Sequence, residues 1–362
     1  MVIQDIMEHA QRGSDWLVEN QNPDGSWRGL PDARVNGFYK APWAFMEMGQ
    51  PAAANRTLTH IKRLFLTGEG DFLPRNPSFH YLYCNAFLII GASLAGRYDV
   101  SIPARRFLLS QQDESHGGFH SQLGVTGVKG SSDTMSAGAA GIACLAAGRI
   151  DQARLTGDFL AHIVAMQPAP KDHFFTSVQA DGSLYTDIKN DEAFFRDIDT
   201  KKPDQCWYAV GLPFAFLVQL AEATNERRYH DLARWYFDFQ SRCVDPWEGY
   251  SSGKAGWGCA MLYRMTGEKT YREIALHIAE KIISRQKADG SWTASAKPTE
   301  AEMDVTAEFT LWLSLISTNI LAREACRIPV IRVNGKWLPR FSKGQGWRSL
   351  INRLVRNSAK GK

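Results

Sequence analysis

Apolar positions recur at helical spacing along most of this chain, from near its start to about residue 320. Ile274, Ala275, Ile278, Ile282 and Ile283 give the clearest case, an i, i+4, i+8 stripe that falls on one face of an amphipathic helix. On this pattern the chain divides into twelve helical segments of two kinds. Those near 4–20, 52–66, 102–112, 150–167, 226–242 and 269–286 carry more charge, as helices with one face in water should. Those near 38–49, 80–97, 133–148, 204–223, 252–267 and 304–321 are richer in Ala, Gly, Cys and aromatics, as helices buried on both sides should be. Six inner and six outer helices in alternation predict an all-α (α/α)6 toroid, six helical hairpins forming one barrel domain over residues 1–322. Such a barrel has a ligand-sized mouth ringed by the N-terminal ends of its inner helices.

A repeated phrase punctuates the pattern. QNPDGSW at Gln21–Trp27 recurs 265 residues later as QKADGSW at Gln286–Trp292, and repeats of this kind point to an array of similar supersecondary units. Looser versions stand at Gln111–Phe119, Gln167–Phe175 and Gln240–Gly249, and a weak one, LTGEGDF, ends at Phe72. Asp-Gly stops the helix and turns the chain. The Gln is expected to satisfy backbone groups orphaned at the helix end, and the Trp to cover the turn while its N–H finds an acceptor. The phrase therefore reads as a structural staple at outer-helix ends, remote from chemistry.

Charge separates the last forty residues from the rest. The chain has a net charge of +4, yet from Arg323 onward eleven Lys/Arg face one acid, Glu324, so the body is mildly acidic and the tail strongly basic. Residues 323–362 thus form a basic C-terminal extension. Within it Trp347, Leu350, Ile351, Leu354 and Val355 fall at helical spacing with Arg348, Arg353 and Arg356 between them. This basic amphipathic tail helix either docks on the barrel or makes peripheral membrane contact. The body has no aromatic and basic stripe, so no nucleic-acid partner is expected. Six scattered cysteines without paired spacing, and an N-terminus without an apolar signal run, point to a cytoplasmic protein.

Candidate chemistry gathers where inner helices begin. Asp133, Asp204 and Asp304 each stand at such a start, where a carboxylate serves either as an N-cap or as an acid. Asp304 lies in EMDVTAEF with Glu302 and Glu308 beside it, and Asp204 is followed by Cys206, Trp207 and Tyr208. Aromatics crowd the same end: Phe38, Tyr39 and Trp43; Phe79, His80, Tyr81 and Tyr83; Phe194 and Phe195; Tyr250 and Trp257. They are core filler or the lining of an apolar site, where ring faces would attract a developing cation.

The staples and the DVTAE run at Asp304–Glu308 resemble the QW motif and the DCTAE motif of squalene and oxidosqualene cyclases, within the superfamily that also holds protein prenyltransferase β-subunits. That resemblance implies an α/α toroid and a cyclase- or isomerase-type enzyme. Asp304 would be the general acid that protonates an apolar isoprenoid or polyene-derived substrate, and Tyr39, Trp43, His80, Tyr81, Cys206, Trp207, Tyr208, Tyr250 and Trp257 would meet that substrate. The sequence departs from the pattern in having Val305 where those enzymes have Cys, and in lacking the second acid of their DxDD pattern. At about half their length the chain supplies one toroid, so its pocket would be closed by its own loops, its tail or a second subunit in a homodimer.

KKPDQCWYAVG, from Lys201, is similar to the prenyltransferase segment in which a D-x-C pair binds zinc. Asp204 and Cys206 match that pair, but no His stands near Glu308–Thr310 to complete the set, so no metal or other cofactor is expected. SSDTMSAG at Ser131–Gly138 and WEGYSSGKAGWG from Trp247 resemble stretches of (α/α)6 unsaturated-uronyl hydrolases and sugar epimerases. On that alternative Asp133 is the acid/base, with His80, His116 and His173 as auxiliaries. A non-catalytic small-molecule-binding toroid is the third reading.

Overall fold

The computed structural model describes residues 3–30, 34–74, 82–121, 130–188, 193–292, 300–325, 330–333 and 336–339. Outer helices are α1 (Ile3–Glu19), α3 (Pro51–Leu64), α5 (Tyr98–Ser110), α7 (Ile150–Met166), α10 (Arg227–Ser241) and α12 (Lys269–Ile283). Inner helices are α2 (Ala41–Glu47), α4 (Tyr83–Leu94), α6 (Thr134–Ala146), α9 (Tyr208–Thr224), α11 (Gly253–Thr266) and α13 (Glu300–Ala325), and a single turn, α8 (Ala193–Arg196), lies between α7 and α9. Each inner helix packs on the next and α13 packs back on α2, which closes the ring as an (α/α)6 toroid. Outer helices lie against the inner helices that precede them, and α1 fills the gap beside α13, so the two ends of the barrel sequence meet.

Burial follows composition. From Thr134 to Cys144 every residue of α6 is buried, whereas α3 buries a single face through Ala53, Ala54, Thr57, Leu58, His60 and Ile61. Small residues let the inner backbones approach: a Cβ on Gly211 of α9 would stand 2.9 Å from the backbone nitrogen of Ala255 in α11. Among the described residues one helix, Ala301–Ala325 within α13, is long and apolar enough to cross a bilayer. Its most apolar stretch is largely buried in the barrel, as a core helix would be.

The staples work differently from the sequence expectation in one respect. Gln21 donates to Ala53 O at 3.1 Å and Thr57 Oγ1 at 2.7 Å on the next outer helix, Gln112 donates to Gln152 O at 3.0 Å on α7, and Gln286 donates to His9 O at 2.9 Å on α1. Gln167 instead reaches back to its own helix, at Ile163 O, and Gln240 donates to Pro246 O of its own turn. In the first three cases the Gln ties neighbouring outer helices together because its side chain is long enough to cross the groove. The Trp behaves as expected: Trp27 Nε1 donates to Gly37 O and Trp292 Nε1 to Ile282 O, both at 2.8 Å. In three of the phrases the Asp accepts from the Ser two residues on, an Asx-type turn, at Asp24–Ser26, Asp113–Ser115 and Asp289–Ser291.

Short strands join the inner-helix starts, and the helical pattern gave no sign of them. Strands β1 (Ser132–Asp133) and β3 (Ser177–Val178) pair antiparallel, as do β2 (His173–Phe175) and β4 (Asp197–Asp199), within the long connections that precede α6 and α9. Beyond α13, β5 (Val330–Val333) and β6 (Lys336–Pro339) form a hairpin. The amphipathic tail segment at 347–355 lies outside the described residues, as do His80 and Tyr81.

Candidate functional site

Four charged side chains from three inner helices meet at the mouth. Lys40 immediately precedes α2, Lys254 is the second residue of α11, and Asp304 and Glu308 lie one turn apart on α13. Spacing of i, i+4 puts both carboxylates on one face of their helix, the face turned to the lysines. Lys40 Nζ donates to Asp304 Oδ2 at 2.8 Å and also to Glu308 Oε2, while Lys254 Nζ donates to Glu308 Oε1. The Trp312 indole, one turn further along α13, donates to the same Glu308 oxygen at 3.0 Å. The lysine side chains are 4% and 3% exposed; those of Asp304 and Glu308 keep 24% and 14%. Cations lie beneath and carboxylates open toward solvent.

Aromatic faces complete the shell. Lys254 Nζ stands 5.3 Å from the ring centre of Tyr208, 5.2 Å from that of Trp312 and 6.0 Å from that of Tyr83, and Lys40 Nζ stands 5.1 Å from that of Tyr39. Below them Trp43, Trp257 and Trp312 pack on one another at 5.6 to 6.1 Å between ring centres, with Phe87 against Trp43 at 5.4 Å. These rings fix the lysines by packing and by attraction of each ammonium to a ring face.

Burial and charge sort the two acids. Burial pushes the Asp304 carboxyl above its ordinary value; Lys40 opposes this, and the neighbouring Glu308 charge adds to it. Glu308 goes the other way: burial opposes ionisation, but Lys254 and Lys40 together hold it well below the usual carboxylate range. Burial lowers Lys254, with Glu308 resisting, whereas Asp304 and Glu308 outweigh burial at Lys40 and hold it above the ordinary lysine value. The two neighbouring carboxyls are thus pushed apart by their surroundings, an arrangement in which one can exchange a proton while the other keeps its charge. Asp304 Oδ1 is buried with no hydrogen-bond partner among the described residues, so one oxygen of that carboxyl is committed to Lys40 and the other is not.

The remaining candidates scatter. Asp304 is not a helix start, because α13 begins at Glu300 and places Asp304 in its second turn, where its side chain can turn inward. Asp133 is the N-cap of α6, accepting from Ser136 N at 2.7 Å and Ser136 Oγ at 2.9 Å. Asp204 neither caps nor joins the site: α9 starts at Tyr208, and Asp204 is exposed in a left-handed turn at φ 51°. Cys206, by contrast, is fully buried, its thiol pushed up to about 12 by burial. Among the described residues no three His, Cys, Asp or Glu side chains gather to hold a metal ion. Glu302 is taken up by Lys287, at 2.6 Å, and by Ser291 of the last staple, which leaves Glu308 as the acid paired with Asp304.

Of the aromatic candidates, Tyr39, Trp43, Tyr208 and Trp257 belong to the shell. Trp207 is wholly buried, and Tyr250 stacks on Phe309 at the rim, half exposed. His116 stacks on Phe159 beside Asp113, and His173 meets Asp197 at 3.0 Å; both stand apart from the lysine and carboxylate quartet. Lys40 and Lys254 are not among the residues the sequence singles out. Their signal was their isolation: each is a lone charge in an otherwise apolar run, FYKAPW and SSGKAGWG. Nor are the staples remote from the site. Trp27 stacks on Phe38, two residues before Lys40, and Trp292 packs on Phe309, next to Glu308, because outer-helix ends and inner-helix starts share one end of the barrel.

A scan against protein-family models gives no match, and a search of curated proteins gives none. Solved structures share the fold. A D-mannose isomerase is similar over 87% of this chain and 97% of its own, with a TM-score of 0.68 at 13% identity. The cellobiose 2-epimerase of Spirochaeta thermophila is similar over 90% and 98%, with a TM-score of 0.64 at 12% identity. A type II terpene cyclase, MstE from Scytonema, is similar over 88% and 98%, with a TM-score of 0.55 at 13% identity.

Proposed function

We propose that this toroid is an acid-catalysing enzyme, with Asp304 as the group that donates the proton that starts a terpenoid-cyclase-like reaction on an isoprenoid or polyene-derived molecule. The observation that carries this reading is the divided Asp304 carboxyl, Oδ2 held by Lys40 and Oδ1 buried and unpartnered. Burial disfavours the charged form and so raises the hold of this carboxyl on a proton above that of an ordinary carboxylate. When it leaves, the carboxylate produced is already paired with an ammonium, so the donor is not left as an isolated buried charge. With an alkene as acceptor, its π pair forms the new C–H bond and the positive charge passes to the neighbouring carbon. With an epoxide, a new O–H bond forms and a C–O bond breaks. The Glu308 carboxylate and the ring faces of Tyr39, Tyr83, Tyr208 and Trp312 stand where they would steady that charge.

A second reading is favoured by the lysines themselves. Two buried ammonium groups suit a carboxylated or hydroxylated sugar at least as well as a hydrocarbon. Asp304 would then protonate an unsaturated or carbonyl-bearing sugar, since the Asp133 carboxylate is engaged in capping α6. Solved structures with this fold include enzymes named for sugars and a terpene cyclase, so the fold alone does not choose. The test is turnover of purified protein against panels of prenyl alcohols, epoxides and diphosphates and of saturated and unsaturated glycosides, read by mass spectrometry, with Asp304→Asn beside it. Product from the prenyl panel supports the cyclase reading and product from the glycosides the second; turnover retained in the Asn variant removes Asp304 as the donor in both.

A further inference from the structure

The quartet is balanced only while Asp304 is ionised. Two ammonium groups, Lys40 and Lys254, then face two carboxylates. An acid must be protonated to act, and protonating Asp304 leaves two lysines, each almost fully buried, sharing the single charge of Glu308. An uncompensated buried charge is costly. Among the described residues the surroundings hold little that would compensate it. Tyr39 and Tyr83, from the start of α2 and α4, and Tyr208, from α9, are all driven toward the neutral form by burial, as is the Cys206 thiol; the Cys84 thiol of α4 lies beside Tyr39 and Tyr83. Asp133, at the start of α6, is a further described carboxylate on this wall, and its oxygens accept from Ser136 N–H and Oγ.

We propose that the missing countercharge comes with the substrate: the site takes a molecule whose reacting group is carried close to an oxyanion, a carboxylate or a phosphate, and seating that oxyanion against Lys40 and Lys254 loads Asp304 with its proton. The geometry already contains the template. Both lysines converge on one carboxylate, that of Glu308, and Lys40 also holds a second, that of Asp304, so the ammonium pair already carries two carboxylates and an incoming oxyanion would take the share of Lys40 that Asp304 has in the empty site. Once a substrate oxyanion shares Lys40, the hold of that ammonium on Asp304 weakens and the carboxyl takes up a proton from solvent. The coupling has a catalytic use, since the acid is armed only when an acceptor is in place and an empty site keeps its four charges balanced.

This inference rests on Asp304 being the proton donor and holds for either substrate class. It is tested with the full-length protein and three probes at constant ionic strength: sodium acetate, inorganic phosphate and, as the control, chloride. Thermal shift reads binding, and calorimetry in two buffers of different protonation enthalpy reads protons exchanged. Acetate or phosphate should stabilise the wild type saturably beyond chloride, with uptake of up to about one proton per site as the Asp304 affinity for protons rises. Which of the two binds identifies the oxyanion as carboxylate or phosphate. Asp304→Asn should keep the binding and lose the proton uptake, and Lys254→Met should weaken binding by about tenfold or more. No stabilisation beyond chloride, or wild-type binding without proton uptake, overturns the proposal, and neither measurement depends on a variant folding. Those failures are separable from failure of the acid reading, which is decided by turnover in the Asp304→Asn variant.

Discussion

Lys40 donates to Asp304 at 2.8 Å across the seam where the first inner helix meets the last. The pair is therefore both a clasp on the barrel and part of the candidate site. The ring closes by packing α13 on α2 and α1, and the same closure brings a cation to one oxygen of an otherwise desolvated acid. The candidate site and the closure of the fold thus share one contact.

Replacing Asp304 by Asn removes the proton and keeps the shape. Turnover is expected to fall by about 10²–10⁴-fold, the usual contribution of a positioned general acid, while the circular dichroism spectrum and melting profile remain those of a folded barrel. On the proposed reading the protonated carboxyl is the active form, so turnover should decline as pH rises through the Asp304 value, which burial places above the ordinary 3.8. The same raised value means that the group's contribution to stability is full below 3.8 and is lost as pH rises through its folded value. An activity profile flat across that alkaline limb would speak against Asp304.

Glu308 has the opposite linkage. Its folded value lies well below the ordinary 4.5, so its stabilising contribution is present above 4.5 and drains away as pH falls toward the folded value. Removing it as Glu308→Ala takes the carboxylate from the buried Lys254 and leaves Lys40 with Asp304 alone. The expected cost is about 3–5 kcal/mol, the range for breaking a buried pair by deleting one partner. Urea unfolding at pH 7 and at pH 3 checks both halves: the gap between wild type and variant should be wide at the higher pH and narrow at the lower.

Lys40→Met separates a polarising role from mere support. Without the ammonium, burial and Glu308 act on Asp304 against the weaker pull of Lys254, so its proton is held more tightly and the alkaline limb of the activity profile should move to higher pH. Turnover on the acid side should drop, because the carboxylate formed on proton loss no longer has its partner. A residue that only supported the fold would lower both limbs together and leave their position unchanged.

The sequence carried the architecture further than the site, for a physical reason. Helical periodicity is a local signal, and segments expected near 150–167 and 252–267 stand at Ile150–Met166 and Gly253–Thr266. The acid Asp304 and its neighbour Glu308 were also legible, because i, i+4 spacing on one helix is local too. Their partners were not. Lys40 and Lys254 lie 264 and 54 residues from the carboxylates they meet, and they are brought there by tertiary packing, ring closure for Lys40 and the contact of α11 with α13 for Lys254. Asp204 failed as a candidate because α9 begins four residues later than the residue pattern suggested, leaving it in an exposed turn. The staples were read as remote for the same reason: that outer-helix ends lie beside inner-helix starts is a property of the closed barrel.

Gly25 and Gly29, four residues apart in the first staple, allow the turn to be dissected. Both have left-handed backbones, at φ 90° and 75°. A Cβ on Gly29 would meet nothing within 4 Å, whereas one on Gly25 would stand 2.1 Å from the carbonyl oxygen of Arg56 on α3. Gly29→Ala should therefore cost only the backbone term, about 1–2 kcal/mol for a non-glycine residue held left-handed. Gly25→Ala carries that term and in addition forces the staple off the neighbouring outer helix, loosening the Gln21 contacts to Ala53 and Thr57. Its loss in urea unfolding should exceed that of Gly29→Ala by at least as much again. Because Trp27 of the same staple stacks on Phe38 just before Lys40, Gly25→Ala should also shift the alkaline limb of activity toward that of Lys40→Met. Equal losses in the two alanine variants would mean that the staple tolerates displacement and that the Gly25 contact with Arg56 is not what seats it.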